Sequence, residues 1–179
     1  MTAWSTAVRA THLTTNAAWF GGSLMGAVGL NPAAAEGDDE RQRADIADEG
    51  WTRWGPVQGA AVALHLLSGV AILADNRRRV AHHRPTTVAV VLKTALTGVA
   101  VAAGAEAYRV GAAYGDAREQ ADHDEDARRR ARALGERLRL LQWATPVTTA
   151  GLLVLDAYLG EQQRGLAGLL DRPSTAPGR

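Results

Sequence analysis

The chain of 179 residues contains no cysteine, which excludes disulfides, thiolate metal sites and cysteine nucleophiles together. Bulky core side chains are also scarce, with one Phe and two Met, whereas a soluble core of this size usually carries more large aromatics. Net charge is nearly absent too, since its formal value is +1. No overall electrostatic field therefore attracts an acidic substrate or nucleic acid, and we expect no nucleic-acid partner.

The mean hydropathy of −0.15 would suit a soluble protein, but this average hides a separation of charged and apolar residues into blocks. Residues 10–35 lack Asp, Glu, Lys and Arg and contain His12 as their single ionisable side chain. A second charge-free run covers 54–74, and two further apolar runs cover 86–115 and 140–160. Each run has the roughly 20 residues that a helix needs to cross about 30 Å of hydrocarbon.

Other interpretations of these runs are weaker. Strands are disfavoured because the runs do not alternate in polarity. A cleaved signal peptide would explain only the first run, which is too long for one and is followed by three similar runs. A soluble four-helix bundle is the more serious alternative. It would require a polar stripe at every turn, and residues 57–74 offer only Gln58, His65 and Ser68.

The sequence therefore predicts an all-α fold, a four-transmembrane-helix bundle that forms a single membrane domain over residues 1–165. A helix is the conformation that satisfies its own backbone hydrogen bonds in lipid. The polar tail at 166–179 is predicted to be disordered. The predicted spans are about 11–35, 54–75, 86–115 and 140–161.

Two patterns concern how these helices pack. Small residues recur at four-residue spacing, as in Ala103, Ala107 and Gly111, and such rows let helix backbones approach closely in lipid. The segments "RWGPV" (53–57) and "QWATPV" (142–147) each place a Trp at the expected interface and a Pro near the first helical turn. This echo is consistent with two duplicated helical hairpins.

We expect a multi-pass protein of the cell membrane, with the lipid bilayer and either a second copy or another membrane protein as partners. Basic residues flank the first two spans on one side, with Arg9 before the first and Arg77 and Arg84 after the second. Because cytoplasmic loops carry an excess of basic residues, this distribution predicts cytoplasmic termini. The connector 116–139 argues the other way, since it would place seven Arg outside the cell.

Charged side chains inside the hydrocarbon are costly and need a partner. Lys93 lies about 10 Å into the third span, and Asp156 about 7 Å from the far end of the fourth. Because these spans run antiparallel, both groups would lie at similar depth near one face of the bilayer. We therefore predict a Lys93–Asp156 ion pair, the alternative being that each side chain extends separately to the headgroups.

Other polar residues complete a candidate intramembrane site. Glu106 and Arg109 are spaced to pair along one helix, and we expect this pair to be structural. His65, near the centre of the second span, is expected to hydrogen-bond to a neighbouring helix rather than bind metal. Asn16 of the first span is one of its expected neighbours. The full candidate site comprises Asn16, His65, Lys93, Glu106, Arg109 and Asp156.

The remaining chemical motifs are missing. The segments "HH" (82–83) and "DHDED" (122–126) contain metal-ligand side chains, but they lack the i, i+4 histidine spacing and the cysteine partners of a zinc site. No phosphate-binding glycine loop, nucleophile elbow or catalytic carboxylate pair is present. We therefore expect no catalytic residue, no cofactor and no metal. The segment 127–143 is basic and helical by composition, and it is expected to extend the fourth span into the headgroup region.

Four segments together resemble a family of small, uncharacterised actinobacterial integral membrane proteins. They are "AWFGGSLMGAVGLN" (18–31), "GWTRWGPVQGAAVALHLLSG" (50–69), "KTALTG" (93–98) and "LQWATPVTTAGLLVLDAYLGEQQRG" (141–165). The resemblance covers all four predicted spans and implies their fold, but it implies no activity. It also implies a neutral residue at position 156, from which Asp156 departs.

Three functions are compatible with these features. A non-enzymatic scaffold or accessory subunit acting through helix–helix contacts is favoured by the small-residue faces and the missing motifs, so the sequence favours a protein that is not an enzyme. A small proton-coupled transporter or carrier would use the buried titratable residues. A cofactor-free membrane oxygenase follows only from analogy with other small four-helix membrane proteins.

The predicted ion pair can be tested by exchanging its charges. Either single change, Lys93→Asp or Asp156→Lys, would place like charges side by side, and we expect it to impair folding. The double variant restores opposite charges and should fold better than both singles, as measured by the folded yield in detergent. If the double variant folds no better than either single one, the pair is absent.

Overall fold

The computed structural model of the protein describes residues 3–164, so the predicted tail at 166–179 lies outside the described residues. Within this range every regular element is helical, which confirms the all-α fold class. The elements are α1 (Ala3–Met25), a π-helical segment (Gly26–Leu30), α2 (Asn31–Ala35), α3 (Glu40–Asp75), α4 (Arg77–His82), α5 (Arg84–Gln120), α6 (Glu125–Leu141) and α7 (Ala144–Arg164).

The long helices α1, α3, α5 and α7 alternate in direction. Along α1 and α3, for example, His12 lies beside His65 while Gly22 lies beside Trp54, as an antiparallel pair requires. Helix α7 packs against both α1 and α5. The start of α1, the start of α5 and the end of α7 therefore share one end of the bundle, here called the amino-terminal end. The opposite end, here called the α6 end, carries the connection from α2 to α3 and helix α6.

Three helical stretches are long and apolar enough to cross a membrane by length and composition: α3, α5 and the stretch Glu125–Glu161 in α6 and α7. They fit a multi-pass membrane protein. Among the described residues, α1 does not meet the same criterion, so the predicted count of four spans is confirmed only for three. The reason is that α1 carries many polar residues. Four of them are buried within the bundle: His12, Thr15, Asn16 and Ser23.

Two helices are much longer than the predicted spans. Helix α3 has 36 residues and α5 has 37, which at 1.5 Å per residue gives about 54 to 56 Å, against about 30 Å of hydrocarbon. Helix α3 starts early because the Asp39 side chain caps it, accepting a 2.8 Å hydrogen bond from the Gln42 backbone N–H. Pro56 consequently lies inside α3, and its predicted place in a first turn is wrong. Pro146 does lie in the first turn of α7.

Helix α6 packs along the C-terminal half of α5. Its alanines Ala127 and Ala131 are buried, whereas the six arginines of the helix leave it strongly basic against three acidic residues. Asp124 caps the helix by accepting a 2.8 Å hydrogen bond from the Asp126 backbone N–H. Helix α6 ends at Leu141, so the basic segment forms a separate helix that precedes α7 and pairs with α5.

A chain of side-chain hydrogen bonds joins the helices near the α6 end. The Trp51 indole N–H donates to the Asn31 amide oxygen at 3.0 Å, and the Asn31 amide N–H donates to the Gln142 side chain at 2.9 Å. These three residues belong to α3, α2 and the junction between α6 and α7. These two hydrogen bonds therefore connect the N-terminal and C-terminal halves of the chain near the α6 end.

The bundle exposes many large apolar side chains and buries several polar ones, which departs from the pattern of a soluble protein. Large apolar side chains point outward from α3, α5 and α7, and they include Leu67, Val70, Val88, Val91, Val147 and Val154. The interior holds polar side chains, which include His12, Asn16, Ser23, His65, Ser68 and Thr149. Extensive exposed apolar surface marks contact with a membrane or another protein, and buried polar groups are normally hydrogen-bonded to one another.

The contact between α1 and α3 gives a test with a matched control. A Cβ atom at Gly22 would overlap the Trp54 ring, whereas one at the neighbouring Gly21 meets nothing within 4 Å. We expect Gly22→Ala to lower the free energy of unfolding by about 1–3 kcal/mol through overpacking. Gly21→Ala should leave it unchanged or raise it by up to about 1 kcal/mol, because glycine is costly inside a helix.

Unfolding of both variants in mixed detergent micelles, followed by circular dichroism, measures the difference. Truncating the ring in the background of the first variant, by Trp54→Leu, should recover part of the loss. Equal stability of the two alanine variants would show that α1 and α3 do not pack through Gly22.

Candidate functional site: a buried polar cluster

The predicted ion pair between Lys93 of α5 and Asp156 of α7 is present. Both side chains are largely buried, at 14% and 10% exposure. Lys93 lies nine residues along α5 from Arg84, about 14 Å from the start of the helix. The pair therefore lies inside the bundle and nearer its amino-terminal end, as the depth calculation from the sequence predicts.

The Lys93 ammonium also contacts a histidine that the sequence analysis did not place in the site. Its Nζ atom lies 2.7 Å from Nε2 of His12 in α1. An ammonium group can only donate, so His12 accepts at Nε2 and carries its ring proton at Nδ1. That Nδ1 atom lies 3.0 Å from the His65 backbone oxygen and 3.0 Å from the Ser68 hydroxyl oxygen. These contacts assign one neutral tautomer to His12.

The Ser68 hydroxyl is oriented to accept a hydrogen bond from the His12 Nδ1–H. Its hydroxyl group donates to the Leu64 backbone oxygen at 2.6 Å, one turn earlier in α3. The lone pairs of the hydroxyl oxygen therefore remain to receive the His12 N–H. The bond ties the side chain of α1 to α3 through a group that α3 itself holds in place.

His12 and His65 form a reciprocal pair across α1 and α3. Each Nδ1 faces the backbone oxygen of the other residue, at 3.0 Å for His12 and 3.3 Å for His65. The two rings stack with centroids 3.9 Å apart and planes 15° from parallel. The Trp19 ring approaches His65 edge-on at 6.0 Å. This packing excludes water from His65, whose exposure is 1%.

Asn16 completes the cluster on the side of the aspartate. Its amide N–H donates to Asp156 Oδ2 at 3.3 Å, one turn along α1 from His12. The amide oxygen of Asn16 and the indole N–H of Trp19 are buried without a hydrogen-bond partner. The polar cluster thus consists of His12, Asn16, His65, Ser68, Lys93 and Asp156, and it joins all four long helices at one level.

The other two predicted site residues lie apart from this cluster. Glu106 and Arg109 form the predicted pair along α5 through two hydrogen bonds of 2.8 Å. A second arginine, Arg137 of α6, also bonds to Glu106. The side chains of Arg109 and Arg137 are mostly exposed. This group therefore joins α5 to α6 toward the α6 end of the bundle and does not belong to the buried site.

His12 could have been found from the spacing of polar residues in α1. The buried residues His12, Thr15, Asn16, Trp19 and Ser23 recur at intervals of three or four, which places them on one helical face. Lys93 carries a second signal, because it is the only lysine in the whole chain. Every other Lys or Arg position holds arginine, so Lys93 stands out in the sequence.

A groove in the described surface lies near the cluster in sequence but does not open onto it. It lies between α5 and α7 near the amino-terminal end, has a volume of about 500 Å³ and is lined by residues such as Arg84, Ala89 and Leu155. No residue of the polar cluster lines it. Within residues 3–164, no group of three or more His, Asp or Glu side chains is arranged to hold a metal ion.

No family model matches the chain, and no curated protein or solved structure is similar to it. The resemblance to an actinobacterial membrane family stays a prediction. The chemistry of the cluster therefore follows from its geometry. It contains one formal positive and one formal negative charge in contact and two imidazoles packed face to face.

The two ion pairs on α5 should differ strongly in their contribution to stability. Asp156→Asn leaves the Lys93 charge buried without its carboxylate, and we expect a loss of about 3–5 kcal/mol in the free energy of unfolding. Glu106→Gln removes an exposed pair and should change stability little, because water screens it. Unfolding in mixed micelles, with both variants in the same detergent, measures the contrast. Equal losses would contradict the burial of the Lys93–Asp156 pair.

Proposed function

We propose that the chain is a four-span integral membrane protein that works without catalysis, as a scaffold or accessory subunit acting through helix contacts. The observation that carries this proposal is the distribution of polarity in the bundle. Many large apolar side chains are exposed on α3, α5 and α7, and the ionisable groups between the helices are paired with one another. Lipid around the helices and a polar interior explain both facts together.

Helix α1 is the fourth span in this proposal. Its low hydropathy comes from the face that meets α3 and α7, where His12, Asn16 and Ser23 are buried. Its opposite face is apolar and exposed, as shown by Leu13 and Met25. A helix whose most polar side chains turn inward can cross a bilayer even though its average hydropathy is modest.

The orientation in the membrane is part of the same proposal. Arg77 and Arg84 lie at the amino-terminal end, near the start of α1. The excess of basic residues in cytoplasmic loops supports cytoplasmic termini. This orientation places the α6 end outside the cytoplasm, where α6 and the acidic start of α3 are available to partners in water.

A scaffold role fits the closed packing of the cluster better than transport does. Asn16, Trp19 and His65 are almost fully buried, and the groove between α5 and α7 does not reach them. The same packing gives no support to an oxygenase, which needs a substrate pocket. A proton-coupled carrier is the second candidate, because Asp156, Lys93 and His12 are titratable groups in direct contact.

Access of water to Lys93 separates the scaffold from the carrier. Because Lys93 is the only lysine, a membrane-impermeant amine reagent applied to sealed membranes reports on one side chain plus the N-terminal amine. For a scaffold we expect no labelling of Lys93 from either side before denaturation, measured by peptide mass spectrometry. A carrier would be labelled from at least one side.

An exposed lysine provides the matched control. Arg130→Lys in α6 introduces an amine at an exposed position, and it should be labelled from the side that faces the α6 end.

The protein part of the detergent-extracted particle should exceed one chain of 18.9 kDa, measured by light scattering. Proton flux in proteoliposomes that Asp156→Asn abolishes, from a particle containing a single chain, would overturn the scaffold proposal. Release of the protein from membranes by alkaline carbonate would overturn the membrane proposal itself.

A further inference from the structure

We infer that the groove between α5 and α7 at the amino-terminal end of the bundle binds one anionic phospholipid of the surrounding bilayer. This inference rests on the proposed membrane location, which puts the outer faces of α5 and α7 in lipid. The groove is open toward that lipid, and no residue of the polar cluster lines it.

The shape of the groove suits an acyl chain. Its volume of about 500 Å³ lies within the roughly 300–1,000 Å³ of small-molecule sites. Val88 and Leu92 line it with exposed side chains, at 65% and 54% exposure, and Ala89 lies buried between them. The single methyl group of Ala89 leaves room beside Leu155 of α7. The lower part of the groove is therefore apolar.

The depth of the groove matches one leaflet. Arg84 is the first residue of α5, and Leu92 follows eight residues later, about 12 Å along the helix axis. One leaflet contributes about half of the 30 Å hydrocarbon thickness. A lipid with its headgroup at Arg84 would thus extend its chain along Val88 and Leu92 nearly to the middle of the bilayer.

The charge at the mouth of the groove selects an anionic headgroup. Arg84 is the only charged lining residue, and within the described residues no carboxylate forms an ion pair with it. A guanidinium group binds phosphate oxygens through two parallel hydrogen bonds. Tyr158 lies on the facing helix with a hydroxyl group suited to the interface. Arg77 of α4 adds positive charge at the same end, and basic surfaces between membrane helices attract anionic lipids.

Native mass spectrometry of the detergent-released full chain tests the inference. The protein is titrated with phosphatidylglycerol and, separately, with phosphatidylcholine carrying the same acyl chains. We expect one tightly bound phosphatidylglycerol and weaker binding of phosphatidylcholine. Arg84→Gln should weaken phosphatidylglycerol binding about fivefold, the effect of one arginine near an anionic headgroup, and should remove the preference between the two lipids.

Two further variants make the result specific. Arg130→Gln removes the same charge from an exposed position on α6 at the other end, and it should leave lipid binding unchanged. Ala89→Leu fills the groove and should weaken the binding of both lipids, while circular dichroism checks that the helices remain folded. Arg84 is exposed, so Arg84→Gln tests the headgroup contact even if Ala89→Leu fails to fold.

Three outcomes overturn the lipid site: equal affinity for the two lipids in the unaltered protein, an unchanged preference in Arg84→Gln, or an equal loss in Arg130→Gln. A stable dimer that excludes lipid from the groove would also overturn it and would assign the groove to a second copy. Each of these results leaves the protein in the membrane. Extraction by carbonate, in contrast, would refute the membrane proposal and the lipid site together.

Discussion

A charge buried between helices needs an opposite charge in contact with it, and one such pair connects the helices of this bundle. Lys93 and Asp156 satisfy it across α5 and α7. Lys93 also hydrogen-bonds to His12, and Asp156 to Asn16, so both members of the ion pair are bonded to α1. Through the stacked histidines, α1 is bonded in turn to α3. These directional bonds connect the four long helices at one level and restrict how each can rotate against its neighbours.

The contrast between the two charged groups of α5 shows how environment separates residues of the same chemistry. Glu106 bonds to two arginines whose side chains are mostly exposed, so water shares in solvating the group. Lys93 and Asp156 have little such solvation, and the hydrogen bond that Lys93 donates to His12 and the one that Asp156 accepts from Asn16 compensate for lost water. The exposed group around Glu106 connects α6 to α5, whereas the buried Lys93–Asp156 pair connects α5 to α7 and both of them to α1.

The ion pair could be predicted because it requires only the depth of each residue and the antiparallel order of the helices. The position of His12 in the cluster could not be predicted as easily, since it depends on the rotation of α1 about its own axis. The length of α3 was also missed. Hydropathy changes sharply near Trp54, but the backbone hydrogen bonds continue through that point to the cap at Asp39. Likewise the contact between Arg137 and Glu106 depends on how α6 is rotated against α5, which the helical composition of 127–143 does not specify.

The continuity of α3 has a mechanical consequence. About 22 Å of unbroken helix separates Gly50, at the α6 end, from His65 in the cluster. Between them stands Pro56, which has no N–H to donate to the Thr52 backbone oxygen, so one turn of the helix lacks a backbone hydrogen bond. Bending of α3 is therefore less costly at this turn than in the helix beyond it, where the imidazole stack lies.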